Sequence, residues 1–587
     1  MSNVLDLVDQ TIRMIADHQA DRPQMPWFTL LALGACHAPH QAPADLIKSY
    51  DARFAHGWDV EREQRLARQI AMGLVPPGTT LPERNAGVPA WDTVPPEQQR
   101  LFVRLQSAYA AMLDHADQQL ARLMAFLDQA GLQDDTLVLV LSDNGASQEG
   151  GPLGVVNAMG PFNLLPEAMA TKLARIDDIG GPDTHSNFPH GWAMAANTPL
   201  KRYKQNTHGG GIRDPLVVSW PRGLPARGEL RHGFCHVSDL APTLLDLLQV
   251  QPPPQVDGVA LQPMTGESFA PALRDAAAPA RSRPQYFEMF GHRGLWHAGW
   301  KAVAYHPVGK PFDEDVWELY HLDADFAETR DLAAAEPERL AELKALWWRE
   351  AEANDVLPLD DRFAQRFAEN GRRFHGERTR FVLHAGMGHL PNEVAPDVRS
   401  RNYRIEAHVR LDPAPAGGGA SSADGPGGSA ARGVLVAHGD ATSGYSLYID
   451  ADGHLVHDMN VGGQHHVMRS PAPMTPGHHV LGMRMALGPW VRMVIPVMGM
   501  AVFPSKRVAT LLVDGEPVAT LDSGRIGFVS QVSFSGLDIG LDRGSPVSHY
   551  AAPFCFTGGR LYRVEYTLDA MQELDYARIA LVEMARQ

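Results

Sequence analysis

Three stretches of this sequence hold side chains able to do chemistry. "GACHAPHQAP" (34–43) places Cys36, His37 and His40 directly after an apolar run. Cys36 could be a nucleophile with a base beside it, a metal ligand, or neither. "LVLVLSDNGAS" (137–147) sets Asp143 and Asn144 immediately after an apolar run. A carboxylate beside an amide carbonyl suits a hard divalent cation such as calcium or magnesium. The same Asp-Asn-Gly triplet is also a plain turn, although "ASQEGGPLG" is no return strand and so no hairpin explains it. "LKRYKQNTHGGGIRDPLVVSWP" (200–221) gathers Lys201, Arg202, Lys204, His208 and Arg213 around three glycines. Such cations would bind an oxyanion, and the glycines would let backbone approach it closely. The competing reading is a solvated basic loop.

Elements must hold these stretches in place. Up to about residue 250, helical and strand signals alternate, as in an α/β layer architecture. "PWFTLLALG" (26–34) and "DDTLVLVLS" (134–142) read as buried strands, since neither alternates with polar residues. "IRDPLVVSWP" (212–221) reads as a third. Between them, residues 100–131 predict a long helix with Leu105, Tyr109, Leu113, Ala116, Leu120, Leu123 and Leu127 on one face. "SDLAPTLLDLLQV" predicts a helix capped by Ser238 or Asp239. In open α/β sheets ligands bind at the carboxyl ends of strands; the first two stretches stand there, and the basic one lies just before its strand.

From about 285 to 355, short strands and then a helix predict a small α+β subdomain. After about residue 395, alternating segments with the turn dipeptides Asp452-Gly453 and Asp514-Gly515 predict an antiparallel β-sandwich. "APAGGGASSADGPGGSAARG" is a low-complexity loop inside it, and the chain closes with a terminal helix. The expected divisions are 1–265, 266–394 and 395–587.

Composition sets the outer limits. At 587 residues, two or three domains are expected. The net charge of −16, with no basic stripe, argues against a nucleic-acid partner. Three cysteines are too few for a disulfide framework or a zinc knuckle. The amphipathic start (Val4, Leu5, Val8, Ile12, Ile15) lacks the core of a signal peptide. "VRMVIPVMGMAVF" is too short to span a bilayer and holds Arg492 and Pro496. The chain reads as soluble, with no membrane partner and its compartment undetermined.

The order of these stretches, followed by "HVSDLAPTLLDLL" and "VWELYHLDADFAETRDLA", resembles the arylsulfatases of the alkaline-phosphatase-like superfamily, from the first helix to about residue 360. The resemblance implies a mixed sheet sandwiched by helices and hydrolysis of a small-molecule or glycan sulfate ester. Within it, Asp143 and Asn144 match a pair of metal ligands, usually to calcium, with magnesium as the alternative. His37 matches the histidine that hydrogen-bonds the sulfate, Lys204 matches the lysine that binds a sulfate oxygen, and His208 would assist at the leaving-group side. The terminal domain resembles concanavalin- or laminin-G-like sandwiches.

Departures from the family pattern are equally specific. Gly209 stands where a glutamate is usual. The family nucleophile is a formylglycine made from the cysteine of a Cys-x-Pro/Ala-x-Arg motif, and Cys36 carries His40 at plus four instead of arginine. The family's first Asp-Asp metal pair after a strand also has no counterpart. The expectation is therefore a sulfatase lacking its N-terminal section, binding its cation weakly and inactive as this chain alone, with a separate N-terminal fragment as a candidate partner. A non-catalytic remnant, a glycan-binding protein, or a phosphodiesterase or phosphonate hydrolase of the same superfamily are the alternative readings.

Overall fold

The computed structural model describes residues 3–225, 228–279, 281–362, 375–414, 429–493 and 501–569. Its first third is mostly helical: α1 (Asn3–Asp21), α2 (Ala44–Phe54), α3 (Gly57–Ala71) and the long α4 (Pro96–Gln129). Proline suits the first turn of α4, where its missing N–H has no intrahelical partner to lose. The predicted apolar face of α4 is real at Leu105, Ala116 and Leu127, but Leu113 is exposed. In α1, Val4, Val8 and Ile15 are buried, as their helical spacing requires. The core under α2–α4 is aromatic: Trp58 meets Trp91 edge-on at 4.6 Å and Trp192 at 6.0 Å. Gly57 has φ +81°, and a Cβ there would lie 2.2 Å from the Trp91 ring, so only glycine fits.

The sheet differs from the expectation. β1 (Val138–Leu141) pairs antiparallel with β2 (Leu216–Ser219), and these two strands form a sheet of their own. Neither strand is buried on both faces: Val140 is 42%, Leu141 44% and Val217 59% exposed. Residues 26–34, expected as a buried strand, form no ladder, and Phe28 and Leu30 are 79% and 81% exposed. A continuous apolar run reads as a covered strand, but a strand also needs a neighbour to bond. None of the described residues supplies one to 26–34.

Short helices follow: α5 (Met159–Phe162), α6 (Met169–Ala174), α7 (His190–Ala196) and α8 (Gly209–Ile212), then α9 (Leu240–Leu248) and α10 (Ala270–Arg274), which flank a ribbon of β3 (Gln255–Val256) and β4 (Val259–Ala260). The turn leading into α9 is fixed by a reciprocal pair, not by Ser238: the Asp239 carboxylate accepts from the His236 N–H, and the His236 ring accepts from the Ser238 N–H. The α+β subdomain is a meander of β5 (Gln285–Met289), β6 (His292–His297), β7 (Trp300–Ala304) and β8 (Trp317–His321), covered by α11 (Pro337–Ala353). Leu295, Ala302, Leu319 and Trp347 form its dry centre.

The sandwich comprises β9 (Arg380–Leu383), β10 (Tyr403–Leu411), β11 (Gly433–Asp440), β12 (Ser443–Ile449), β13 (Leu455–Val461), β14 (Gln464–Arg469), β15 (Gly477–Leu487), β16 (Trp490–Met493), β17 (Ala501–Pro504), β18 (Arg507–Val513), β19 (Glu516–Asp522), β20 (Leu537–Ile539) and β21 (Gly559–Leu568). One sheet runs β19-β18-β15-β10-β21-β9, the other β14-β13-β12-β11-β20, and β16 and β17 form a separate hairpin. Strand β9 lies before residue 395, so the sandwich begins earlier than that division. Alternation is visible in β10, where Tyr403, Ile405, Ala407, Val409 and Leu411 all face the core. Asp514 and Gly515, both at positive φ, make the two-residue turn between β18 and β19. The centre of the low-complexity stretch (415–428), part of the 491–503 apolar segment and the expected terminal helix lie outside the described residues.

The sandwich docks on the helical region through hydrogen bonds from Asn157 Nδ2 to the Thr442 carbonyl (3.0 Å) and from the Val529 N–H to Asn163 Oδ1 (2.8 Å). Phe534 meets Phe162 edge-on at 5.6 Å.

Candidate active site

The turn after β1 is latched to the 197–211 loop. The Gly145 N–H donates to the Gly211 carbonyl (3.3 Å), the Ala146 N–H to Asn197 Oδ1 (2.8 Å), and the Lys204 N–H to the Ala146 carbonyl (3.0 Å). The glycines allow this contact. A Cβ on Gly145 would lie 1.7 Å from the Gly210 oxygen, one on Gly210 2.2 Å from the Arg202 oxygen, and one on Gly211 2.0 Å from the Asn206 oxygen. Their smallness brings backbone close to backbone.

The latch carries Lys204 to His37. Lys204 Nζ lies 3.2 Å from His37 Nε2, although 167 positions separate them. An ammonium has only protons to offer, so Nε2 receives and the ring proton sits on Nδ1, 2.8 Å from the Ala38 carbonyl. Lys204 also pairs with Glu149 at 3.3 Å, and Glu149 accepts from Ser147 and Gln205. His37 is exposed, whereas Lys204 and Glu149 are partly covered.

The rest of the "GACHAPHQAP" stretch supports this pair without joining it. His40 is buried between Tyr109 and Phe188, and burial pushes its pKa down to about 3. Cys36 is half-buried, and desolvation pushes its thiol up to about 12. A thiol so rarely ionised is a poor nucleophile. His185 is buried, desolvation pushes it down to about 4, and its ring lies 5.1 Å from the Phe534 ring of the sandwich.

Asp143 is exposed at the mouth of β1, with Asn144 half-buried beside it. Its carboxylate neighbour is Asp214, which burial and the Asp143 charge together push up to about 7.

His208 faces elsewhere. It is 1% exposed, and its Nε2 lies 3.4 Å from Glu318 on β8. Burial lowers its pKa. Glu318 also takes Lys201 Nζ at 3.1 Å and the Tyr320 hydroxyl. Burial would raise the Glu318 carboxyl, but His208, Tyr320 and Lys201 outweigh it and hold that group well below the usual range. Next to His208, the Gly209 N–H donates to both oxygens of buried Glu328 (3.1 and 3.0 Å), whose charge is met by Lys301 at 2.6 Å. The loop thus has a buried acid after all, delivered from residue 328 and not from position 209.

Residues 3–250 match the sulfatase family, and residues 201–350 match the N-sulphoglucosamine sulphohydrolase C-terminal family. The region 3–350 of this chain is sulfatase-like. An uncharacterized sulfatase of Schizosaccharomyces pombe is 29% identical over 357 residues, covering 58% of this chain and 60% of its own length. An arylsulfatase of Klebsiella aerogenes is 30% identical over 274 residues, covering 46% of this chain and 56% of its own. The solved structure of Ps i-CgsB is 16% identical, covering 61% of this chain and 56% of that one, with a TM-score of 0.37. The chain thus spans less than two thirds of these relatives.

Within this sulfatase region, the donors near Asp143 do not close a calcium site. Calcium takes 6–8 oxygen ligands, whereas Asp143, Asn144 and Asp214 offer two carboxylates and an amide. Among the described residues, the one group of three His, Cys, Asp or Glu side chains within mutual ligand distance lies in the sandwich. Sequence reasoning missed Glu149, His185 and Asp214. Glu149 stands just beyond the 137–147 stretch and Asp214 lies inside the 200–221 stretch, so the sequence already held two of the three.

Proposed function

We propose that His37 and Lys204 form the sulfate-binding subsite of a chain that handles sulfate esters, and that this chain alone does not hydrolyse them. The observation that carries the subsite is the 3.2 Å approach of Lys204 Nζ to His37 Nε2 at an exposed position. Lys204 brings a fixed positive charge, held between Glu149 and His37. When a sulfate arrives, Lys204 turns a proton to one oxygen. His37, taking a proton from solvent at Nε2 while Nδ1–H stays on the Ala38 carbonyl, donates to another. Hydrogen bonds to charged groups of this kind contribute roughly 1.5–3 kcal/mol each.

Inactivity of the chain alone is supported by the nucleophile. Attack at sulfur needs an activated nucleophile, and the cysteine nearest the pair, Cys36, is half-buried with its thiol pushed up to about 12. A divalent ion bound at Asp143 and Asn144 would add charge stabilisation, weakly held by so few donors. The sulfate ester and a separate N-terminal fragment remain the proposed partners.

A second reading, glycan binding by the sandwich, is favoured by a cleft of about 280 Å³ lined by His408, His478, His479, Asp514, Tyr562 and Arg563. Rings and charged donors side by side suit a sugar acid or sulfated sugar. A glycan panel on the full chain and its Tyr562→Ala variant tests it, with equal binding by both ruling out this cleft.

Assaying the purified chain against an aryl sulfate tests the main reading, with no turnover above buffer expected. Turnover lost in Lys204→Ala would overturn the inactivity. Turnover untouched by both Lys204→Ala and His37→Ala would overturn the site itself.

A further inference from the structure

The second face of the sandwich holds a group that the sulfate chemistry does not use. Strand β13 alternates: Leu455, Met459 and Val461 enter the core between the sheets, while Val456 and Asp458 point to the other side, under the segment carrying Val547 and Ser548. In the β13–β14 pair, Asp458 is opposite Val467 and Asn460 opposite His465, so His465 lies diagonal to Asp458 on the same face. His549 reaches this face from the overlying segment, its ring 4.3 Å from that of His465.

Asp458 is fully buried. One oxygen accepts from His465 Nδ1 (2.7 Å) and Ser548 Oγ (2.6 Å), while the other, Oδ1, has no hydrogen-bond partner. A buried carboxylate oxygen without a partner is costly and calls for a cation or a donor. A divalent cation taking the place of the proton between His465 Nδ1 and Asp458 would be ligated by both atoms at once, the proton leaving to solvent.

We propose that Asp458, His465 and His549 bind one zinc-class divalent cation. Each supplies a ligand atom within 4.8 Å of the other two. Zinc bonds of about 2.0–2.2 Å would draw these atoms closer, and exposed His549 is the one able to swing in. Two imidazoles and a carboxylate suit zinc better than calcium, and a fourth position stays open to water. The ion would pin the 547–550 segment to the β13–β14 hairpin. The turn of that hairpin, at Gly462, packs against Gly160 of the sulfatase region, so occupancy would stiffen the contact between the two.

The test uses the full chain, freed of metal by a chelator and titrated with zinc chloride by calorimetry, with zinc per chain read by elemental analysis. One zinc per chain is expected, with affinity falling at least about tenfold in His549→Ala, an exposed position that does not threaten folding, and about 10–100-fold in Asp458→Asn. Absence of binding below about 1 mM zinc, an affinity too weak to count as a site, would overturn the proposal. So would binding that survives in His549→Ala and is lost in Asp143→Ala, because zinc would then sit in the sulfatase region.

Discussion

The terminal sandwich and the β1–β2 ribbon are both antiparallel, yet they treat their apolar side chains in opposite ways. In the sandwich, Leu447, Ile449, Leu481 and Met483 are fully buried between two sheets. In the ribbon, Val140, Leu141 and Val217 are between 42% and 59% exposed. The difference is one of neighbours. Each central strand of the sandwich has a partner on both edges and a sheet across the core, while among the described residues β1 and β2 have only each other. The candidate sulfate site therefore stands at the end of a thin sheet and is held mainly by the glycine latch between the 145 and 210 loops. The candidate site rests on loop packing, away from the apolar core between the two sheets of the sandwich.

The two exposed ends of this comparison can be probed with thiols. Cys36, beside the site, is half-buried with its pKa near 12, whereas Cys555, in the sandwich, is exposed. At pH 8, alkylation of Cys36 in the folded chain should be about a thousandfold slower than that of an ordinary thiol, because only the thiolate reacts. Peptide mass spectrometry against Cys555 as internal reference measures this. Equal rates would mean that the wall around Cys36 opens freely.

Core truncation separates the regions next. Leu447→Ala should cost roughly 2–5 kcal/mol of stability in urea unfolding, because it leaves a cavity between closed sheets. Val217→Thr, on the open face of the ribbon, should stay within about 0.5 kcal/mol. A loss of several kcal/mol at Val217 would show that something covers that face in solution, and the contrast would collapse.

Much of this fold was legible because its signals are local. The period-2 alternation of β10, the Asp514-Gly515 turn, the helical spacing of Val4, Val8 and Ile15, and the short strands before α11 appear where their patterns place them. What failed was inference about neighbours. Residues 26–34 are apolar enough for a buried strand, but apolarity says nothing about whether a partner strand exists to bond it. The pairing of His37 with Lys204 was legible only through the family resemblance, since no local pattern links residues so far apart. His208 reads like a member of the same basic loop, and only β8, bringing Glu318, reveals that its ring turns into a buried network. Asp458, His465 and His549 gave no signal, because an alternating strand and an irregular segment must first be stacked before their side chains meet.

The central claim is that Lys204 and His37 together hold a sulfate group. Calorimetric titration of the full chain with an unreactive aryl sulfonate, which presents the same three oxygens, tests it most directly. The account predicts that binding weakens at least about tenfold in Lys204→Ala and again in His37→Ala, as expected for losing one charge-assisted hydrogen bond each. Undiminished binding in both variants would contradict it and move the anion site away from this pair.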